Sequence, residues 1–392
     1  MFRARAISLI HYLTMTQKLS IYIHWPFCKS KCPYCDFNSH VRENIDQQNW
    51  NKAYLAEITK HADFLQNKKI VSIFFGGGTP SLMPSFIVEN IIKKLSEFAI
   101  IDNNIEITLE ANPTSVESSK FKEFAQAGVN RVSLGIQSLN QNDLKFLGRE
   151  HSVDEAITAI EIAKQNFNRY SFDLIYALPE QTLTAWESEL TQALKLAGKH
   201  LSLYQLTIEK GTPFYSLYQN KKFQMPNEEL AGDFYTLTQD IMSTAGLPAY
   251  EISNHAKTNE ECRHNLVYWE YDDFLGIGPG AHSRINNQAI HSIYHPENWL
   301  NSALQNQNTN QNQIDLTLEE IISEILLMGL RLRKGINQQH FITKTGYSFA
   351  DKLKQDKLAW LLENKFLQLE NDHLFATDSG RLVLNHIISQ LI

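Results

Sequence analysis

Short apolar runs rich in β-branched and aromatic residues recur along the first half of the chain, at Leu19–His24, Ile70–Phe75, Asn104–Leu109, Arg131–Ile136, Ser171–Ile175 and Leu201–Leu206. Each has the length of a strand. Longer stretches with helical periodicity lie between them. The segment 45–67 places Trp50, Tyr54, Leu55, Ile58, Ala62 and Leu65 near one face, and 86–98 does the same with Ile87, Ile91, Ile92, Leu95 and Phe98. Helices over 116–127, 153–165 and 182–197 continue the series, and Gly128 fits a helix C-terminal cap before the fourth strand. This alternation predicts parallel strands joined by right-handed crossovers.

Six such units suit either an open doubly wound sheet or an incomplete barrel. Alternation alone does not separate the two, but the placement of polar residues gives a lead. A cysteine loop follows strand one, Gly76-Gly77-Gly78-Thr79-Pro80 strand two, Glu110 strand three and Gln137 strand four, while Asp173 lies within strand five. Convergence of many strand ends is a barrel mouth, whereas an open sheet focuses its site at one switch point. The predicted fold is therefore α/β, a partial (βα)6 barrel of the TIM type over residues 15–250, with a smaller, mainly helical C-terminal domain over 316–392. Residues 251–300 hold an aromatic motif and a Gly-rich stretch. The Asn/Gln-rich tract at 301–315 reads as a linker. Residues 1–14 read as a leader or upstream-start extension, with Met15 as an alternative start. A targeting segment is the competing reading, but no small-residue cleavage pattern follows.

Composition narrows the classes. With 43% hydrophobic and 20% charged residues among 392, global disorder is excluded. The net charge of −7 and scattered Lys and Arg argue against a nucleic-acid protein relying on a broad basic face. No apolar run approaches the length of a membrane-spanning helix. Four cysteines are too few for a disulfide scaffold.

Three of those four form C-x-x-x-C-x-x-C at Cys28, Cys32 and Cys35. A disulfide would leave one thiol over. A structural zinc would want a fourth ligand, for which His24 and His40 are nearest. A [4Fe–4S] cluster with three cysteine ligands fits better, because one iron stays open for a substrate or cofactor. Cys262 is far off in sequence and reads as a small buried hydrophobe.

The cysteine loop after strand one, with Tyr34 just before its last cysteine, resembles the radical S-adenosylmethionine superfamily. The resemblance implies a partial barrel, a [4Fe–4S] cluster on the three cysteines, and S-adenosylmethionine bound at the open iron, where one electron can cleave it to a 5′-deoxyadenosyl radical. Tyr22–Cys28, Phe75–Ser81, Leu109–Pro113, Leu134–Ser138 and Phe172–Tyr176 narrow the likeness to one branch, the oxygen-independent coproporphyrinogen III oxidases and the related HemW haem chaperones. It runs from about residue 19 to the C-terminus. By this resemblance Gly77, Gly78 and Thr79 hold the amino-acid end of S-adenosylmethionine, and Tyr22, Tyr34, Glu110, Gln137, Arg149 and Asp173 belong to the same site. A glycine run would also offer free backbone N–H groups, and Arg149 could pair a carboxylate in bidentate fashion.

Two positions divide the branch. The oxidases resemble C-x-x-x-C-x-x-C-x-C, and Phe37 stands where their fourth cysteine would be. The segment His264-Asn265-Leu266-Val267-Tyr268-Trp269 resembles the H-N-x-x-Y-W motif of the chaperones. The resemblance implies haem contact by His264, Asn265, Tyr268 and Trp269. Imidazole is a good axial ligand and the aromatic rings give flat faces. His282 is a weaker candidate. Without the resemblance the motif reads as an aromatic loop with a satisfied histidine. The function implied is a cytoplasmic haem chaperone that delivers haem to recipient haem proteins, with membrane-bound respiratory enzymes among them, peripheral at the membrane during delivery. It leaves room for a homodimer and calls for no nucleic acid. The alternative is a coproporphyrinogen III oxidase.

Overall fold

The computed structural model describes residues 17–392, so the leader expected over 1–14 lies outside the described residues. Strands β1 (Gln17–Trp25), β2 (Lys68–Gly77), β3 (Ile100–Ala111), β4 (Arg131–Gln137), β5 (Arg169–Tyr176) and β6 (His200–Gln205) pair in parallel in that order. Helices α1 (Gln47–Lys60), α2 (Ser85–Phe98), α3 (Phe121–Gln126), α4 (Val153–Asn166) and α5 (Leu183–Leu196) supply the crossovers. This is the partial barrel expected from the alternation.

The two faces of each strand do different work. Leu19, Ile21, Ile23 and Trp25 of β1 are fully buried in the main core, where Trp25 meets Trp50 of α1 edge-on at 5.8 Å. The intervening Ser20, Tyr22 and His24 face the barrel interior, as do Ser72, Glu106, Arg131, Ser133 and Ser171 of the next strands, which bond to one another or to inward groups. The interior is thus polar, and burial of the apolar outer faces under the helices holds the sheet.

The sheet continues past both ends of the six. β7 (Asn254–Ala256) runs antiparallel to β6. On the other edge, β8 (Phe274–Ile277) lies parallel to β1, followed by β9 (His282–Ile285), β10 (Gln288–Ser292) and β11 (Asn310–Asp315), all antiparallel. Among the described residues this gives one sheet in the order β11-β10-β9-β8-β1-β2-β3-β4-β5-β6-β7. The Gly-rich stretch is therefore partly strand.

The tract 301–315 is not a structureless linker. Its start belongs to the helix Pro296–Leu304 and its end is the edge strand β11. The polar composition conceals the strand because an edge strand needs backbone pairing rather than buried side chains. Gln313 donates to Gln288 at 3.0 Å and Gln288 to Asp315 at 2.7 Å, adding side-chain ties.

Between β7 and β8 the short helix α6 (Arg263–Trp269) carries the H-N-x-x-Y-W residues. Beyond β11, α7 (Leu318–Gly329) begins behind a capping box of Thr317 and Glu320. It packs with the helix α8 (Gln338–Thr345) and a three-stranded sheet of β12 (Ile336–Asn337), β13 (Leu367–Glu370) and β14 (His373–Ala376) around a second core that includes Ile325, Leu326, Phe341 and Leu374. Arg284 clamps Glu324 of α7 with two hydrogen bonds of 2.9 and 2.7 Å, fixing this unit to the barrel's extended edge.

Candidate functional site

β1 ends at Trp25, and the chain turns into the cysteine loop, which is closed by a short parallel pair of Phe27–Cys28 with His40–Val41. Asn38 anchors the far side. Its Nδ2 donates to the carbonyls of Pro279 (3.0 Å) and Tyr294 (2.9 Å), and its Oδ1 meets His40 Nε2 at 2.8 Å. His24 Nε2 bonds the Asn38 carbonyl at 2.9 Å while its Nδ1 meets the Tyr22 hydroxyl at 3.1 Å. Both histidines proposed as a fourth zinc ligand are thus turned to the loop's own scaffold.

The glycine run braces the loop from below. Gly78 N–H donates to Trp25 O at 2.7 Å and Thr79 N–H to Phe27 O at 2.8 Å. Gly77, at φ +114°, lies so close to β1 that a Cβ would meet Trp25 O at 2.7 Å. Gly77 N–H itself points to Glu110 Oε2 at 3.3 Å. The expectation of free N–H groups is therefore corrected: the close approach is to the base of the cysteine loop, and these donors already have protein partners.

Cys28, Cys32 and Cys35 line one open cavity of about 740 Å³, mouth included, with Gly77, Gly78, Thr79, Glu110, Gln137, Arg149 and Asp173. Tyr34 lines it as well. Tyr22 lies just inside it, where a Cβ on Gly76 would touch both its ring (2.9 Å) and Glu110 (3.2 Å). Gln137 ends β4 with φ +74°, rare for a residue with a side chain, at an irregularity in the pairing with β5.

Side chains reach all three sulfurs, with Ser39 Oγ 4.0 Å from Cys35 Sγ. Thr79 Oγ1 lies 3.4 Å from Cys28 Sγ, and Arg149 Nη1 lies 3.2 Å from Cys32 Sγ. Asn112 joins the donors: its Oδ1 accepts from Arg149 Nη2 at 2.6 Å and its Nδ2 donates to Thr79 Oγ1 at 3.2 Å. Asn112 was not among the expected site residues, although it stands inside a motif already singled out.

The charges in the cavity ask for a particular ligand. Burial, reinforced by the nearby Asp173, pushes Glu110 up to about 8, and burial pushes Asp173 up to about 6. Arg131, and for Asp173 also Arg149, offset this only in part, and a sulfonium or ammonium group would supply further positive charge. Arg149 Nε is buried with no hydrogen-bond partner among the described residues, a donor suited to a ligand carboxylate. An amino-acid-like molecule with a second positive centre answers all three groups. The thiols suit a cluster better than a single ion. Among the described residues no three His, Cys, Asp or Glu side chains converge as one metal ion would need. A cluster offers each thiolate its own iron corner. Phe37, 60% exposed on the rim, cannot serve as a ligand.

A second cavity adjoins the first through Tyr34, Cys35, Phe37, Glu110, Gln137 and Asp173. It holds about 1440 Å³, mouth included, and reaches Tyr176, Tyr204 and Tyr235.

The H-N-x-x-Y-W residues are elsewhere. α6 plugs the barrel from the end where the strands begin, and His264 N–H donates to Glu106 at 3.2 Å. His264 is 1% exposed, with Nδ1 on Ser72 Oγ (2.9 Å) and Nε2 on the Tyr268 hydroxyl (2.8 Å). Burial pushes its pKa down to about 3. Its ring stacks on Phe74 at 5.0 Å and on Tyr22 at 6.2 Å, so an aromatic layer separates it from Glu110. An axial-ligand role for His264 does not fit this arrangement, because both nitrogens are engaged inside the barrel. Asn265 and Trp269 are half-buried on the same helix, and Trp269 borders a different cleft. Cys262 is buried with Sγ 3.5 Å from Glu106. His282 stacks on His291 at 4.0 Å along the sheet extension.

The chain matches the radical SAM superfamily model over residues 22–192 and the HemN C-terminal domain model over 316–383. It is 35% identical to the heme chaperone HemW of Haemophilus influenzae, over 94% of this chain and 97% of that one. HemW of Escherichia coli K12 is 32% identical with the same coverage. The mitochondrial radical S-adenosyl methionine domain-containing protein 1 of Danio rerio is 32% identical, over 95% of this chain and 86% of its own. The solved structure of the E. coli coproporphyrinogen III oxidase HemN superposes with a TM-score of 0.80 at 21% identity, over 95% of this chain and 89% of that one, a likeness of fold. The superfamily implies a [4Fe–4S] cluster and S-adenosylmethionine, and the donor set above suits both. The chain belongs to the HemW family of radical S-adenosylmethionine proteins.

Proposed function

We propose that this protein is a haem chaperone that binds haem, a [4Fe–4S] cluster and S-adenosylmethionine and hands haem to recipient haem proteins. The observation that carries this is near-full-length similarity to proteins named heme chaperone HemW. Phe37 at the position of the oxidases' extra cysteine supports it. Recipients include membrane-bound respiratory enzymes, met by a cytoplasmic protein docking peripherally, alone or as a homodimer. Among the described residues no helix is long and apolar enough to cross a membrane.

In this reading Cys28, Cys32 and Cys35 hold the cluster, whose open iron would supply a site for the amino-acid end of S-adenosylmethionine. The chain's residues do the rest. Arg149 Nε takes the carboxylate, Glu110 and Asp173 draw the positive groups, and Gln137, Tyr34 and Tyr22 shape the walls. Thr79 and Arg149 direct hydrogen bonds at two sulfurs, which stabilise the more negative, reduced state. Asn112 positions both donors. Asn112→Ala is therefore expected to weaken S-adenosylmethionine about tenfold, as one hydrogen bond to a charged group is lost, and to lower the cluster's reduction potential at unchanged iron content. Calorimetric titration and an anaerobic redox titration read the two effects. An unchanged potential would remove Asn112 from this role.

The test of function is an anaerobic haem titration of cluster-reconstituted protein followed in the Soret region. Saturable, near-stoichiometric binding is expected, with transfer to an apo-haem protein on mixing. One observation favours the oxidase instead, the large tyrosine-lined cavity beside the cluster site. Absent haem binding, together with consumption of S-adenosylmethionine in the presence of coproporphyrinogen III, would establish that reading.

A further inference from the structure

With both nitrogens of His264 engaged inside the barrel, an iron porphyrin needs another ligand. The outer end of α6 points to one. Trp269 forms a wall of a cleft between the barrel and the C-terminal unit, about 680 Å³ with its mouth. Ile325, Leu332 and Ile336 give the cleft apolar surface, Lys334 stands on its wall paired with Glu270, Asp272 is held by Lys344 at 3.5 Å, and His340 and His373 add two imidazoles. The apolar wall suits a flat apolar ring, and Lys334 is the cation that an acidic edge of such a ring would meet.

The two imidazoles are held in an informative way. His373 Nδ1 lies 2.9 Å from the carbonyl of Asn371, and His340 Nε2 lies 2.7 Å from the carbonyl of Glu270. A carbonyl can only accept, so these nitrogens carry the protons. The other nitrogen of each ring keeps its lone pair, and among the described residues neither has a hydrogen-bond partner. An imidazole tied through Nδ1–H to a backbone carbonyl, with Nε2 free, is the usual arrangement of a metal-ligating histidine. His373 has it in full. It sits at the start of β14, opposite Asn337 of β12, so its backbone is fixed by sheet pairing.

We propose that this cleft is the haem site, with His373 Nε2 as axial ligand, Trp269 against the macrocycle face and Lys334 meeting a propionate. The inference rests on the haem-chaperone reading and deepens it. It places haem between the barrel and the C-terminal unit, next to the helix that plugs the barrel. Cargo would then sit apart from the cluster cavity, where a recipient can reach it.

The test compares wild-type, His373→Ala and His264→Ala proteins, each full-length and cluster-reconstituted, in anaerobic haem titrations with low-temperature EPR. His373→Ala is expected to bind haem at least tenfold more weakly and to lose the histidine-ligated signature, with free imidazole restoring it. Iron–sulfur absorbance and S-adenosylmethionine binding stay at wild-type levels, because the cleft shares no lining residue with the cluster cavity. His264→Ala is expected to lower the melting temperature but keep the signature. A His373 variant that titrates like wild type overturns the proposal, as does a His264 variant that loses the signature at unchanged melting temperature. A wild-type protein without saturable haem binding would instead overturn the chaperone reading itself.

Discussion

Cys32→Ala is expected to abolish the broad iron–sulfur absorbance of the reconstituted protein while the barrel stays folded. Cys32 and Cys35 lie on a partly exposed loop at the barrel mouth, outside the main core, so loss of one thiol removes little packing. The loop's frame is set by Asn38, His24 and the Gly78 and Thr79 N–H groups, none of which depends on Cys32. The fold therefore survives. The cluster should not, because no thiol can take the missing place. Cys262, the fourth cysteine, is buried against Glu106 at the opposite end of the barrel, with its thiol pushed up to about 12 by burial. Arg149, now facing no sulfur, would keep its bonds to Asn112 and the Gly135 carbonyl. Far-UV circular dichroism and iron analysis check the two halves together. A normal cluster in this variant would refute the ligand assignment.

What could be read in advance follows from how local each signal is. Strands β1 to β6 were legible because their outer faces carry Leu, Ile, Val and Phe on a short period, and a helix of 3.6-residue periodicity follows each. The cysteine loop was legible because three thiols within eight residues are chemically unusual. The edge strand β11 was not, since its side chains carry no apolar alternation. Asn38 bonds carbonyls 241 and 256 residues away, and no local pattern reports such partners. His264 shows a subtler limit. Its motif supplies a metal-binding side chain beside aromatic rings, and the sequence cannot say whether its nitrogens are free. The partners that use them are Ser72, on a strand far earlier in the chain, and Tyr268, one helical turn away. The pair Tyr268 and His264 at i, i+4 was the available clue, because such residues share a helix face.

Glu110→Gln is expected to stabilise the protein without ligand and to impair binding of S-adenosylmethionine. The carboxyl of Glu110 has its pKa raised from 4.5 to about 8, by burial first and the charge of Asp173 second. A group raised in this way favours the protonated native state. Its contribution is fully present below pH 4.5 and is lost as the pH climbs towards 8. Wild-type protein should thus lose stability across that window, and the glutamine variant should lose less. Because the cavity admits water, the gain at pH 7.5 is set at about 1–3 kcal/mol, or several degrees in melting temperature. Binding runs the other way. A cationic ligand needs the ionised carboxylate, so wild-type affinity should fall as the pH drops from 8 to 6, with proton release on binding. The amide cannot offer a charge, and an affinity loss of roughly tenfold to a hundredfold is expected. Melting curves at pH 5.5 and 7.5, with and without S-adenosylmethionine, separate the two effects. The carboxylate's assignment to the cofactor fails if the variant melts lower than wild type at pH 7.5 and still gains the same ligand-induced shift. The opposite pattern would show that the barrel carries a buried acid at a cost in stability because the cofactor's positive charge requires it.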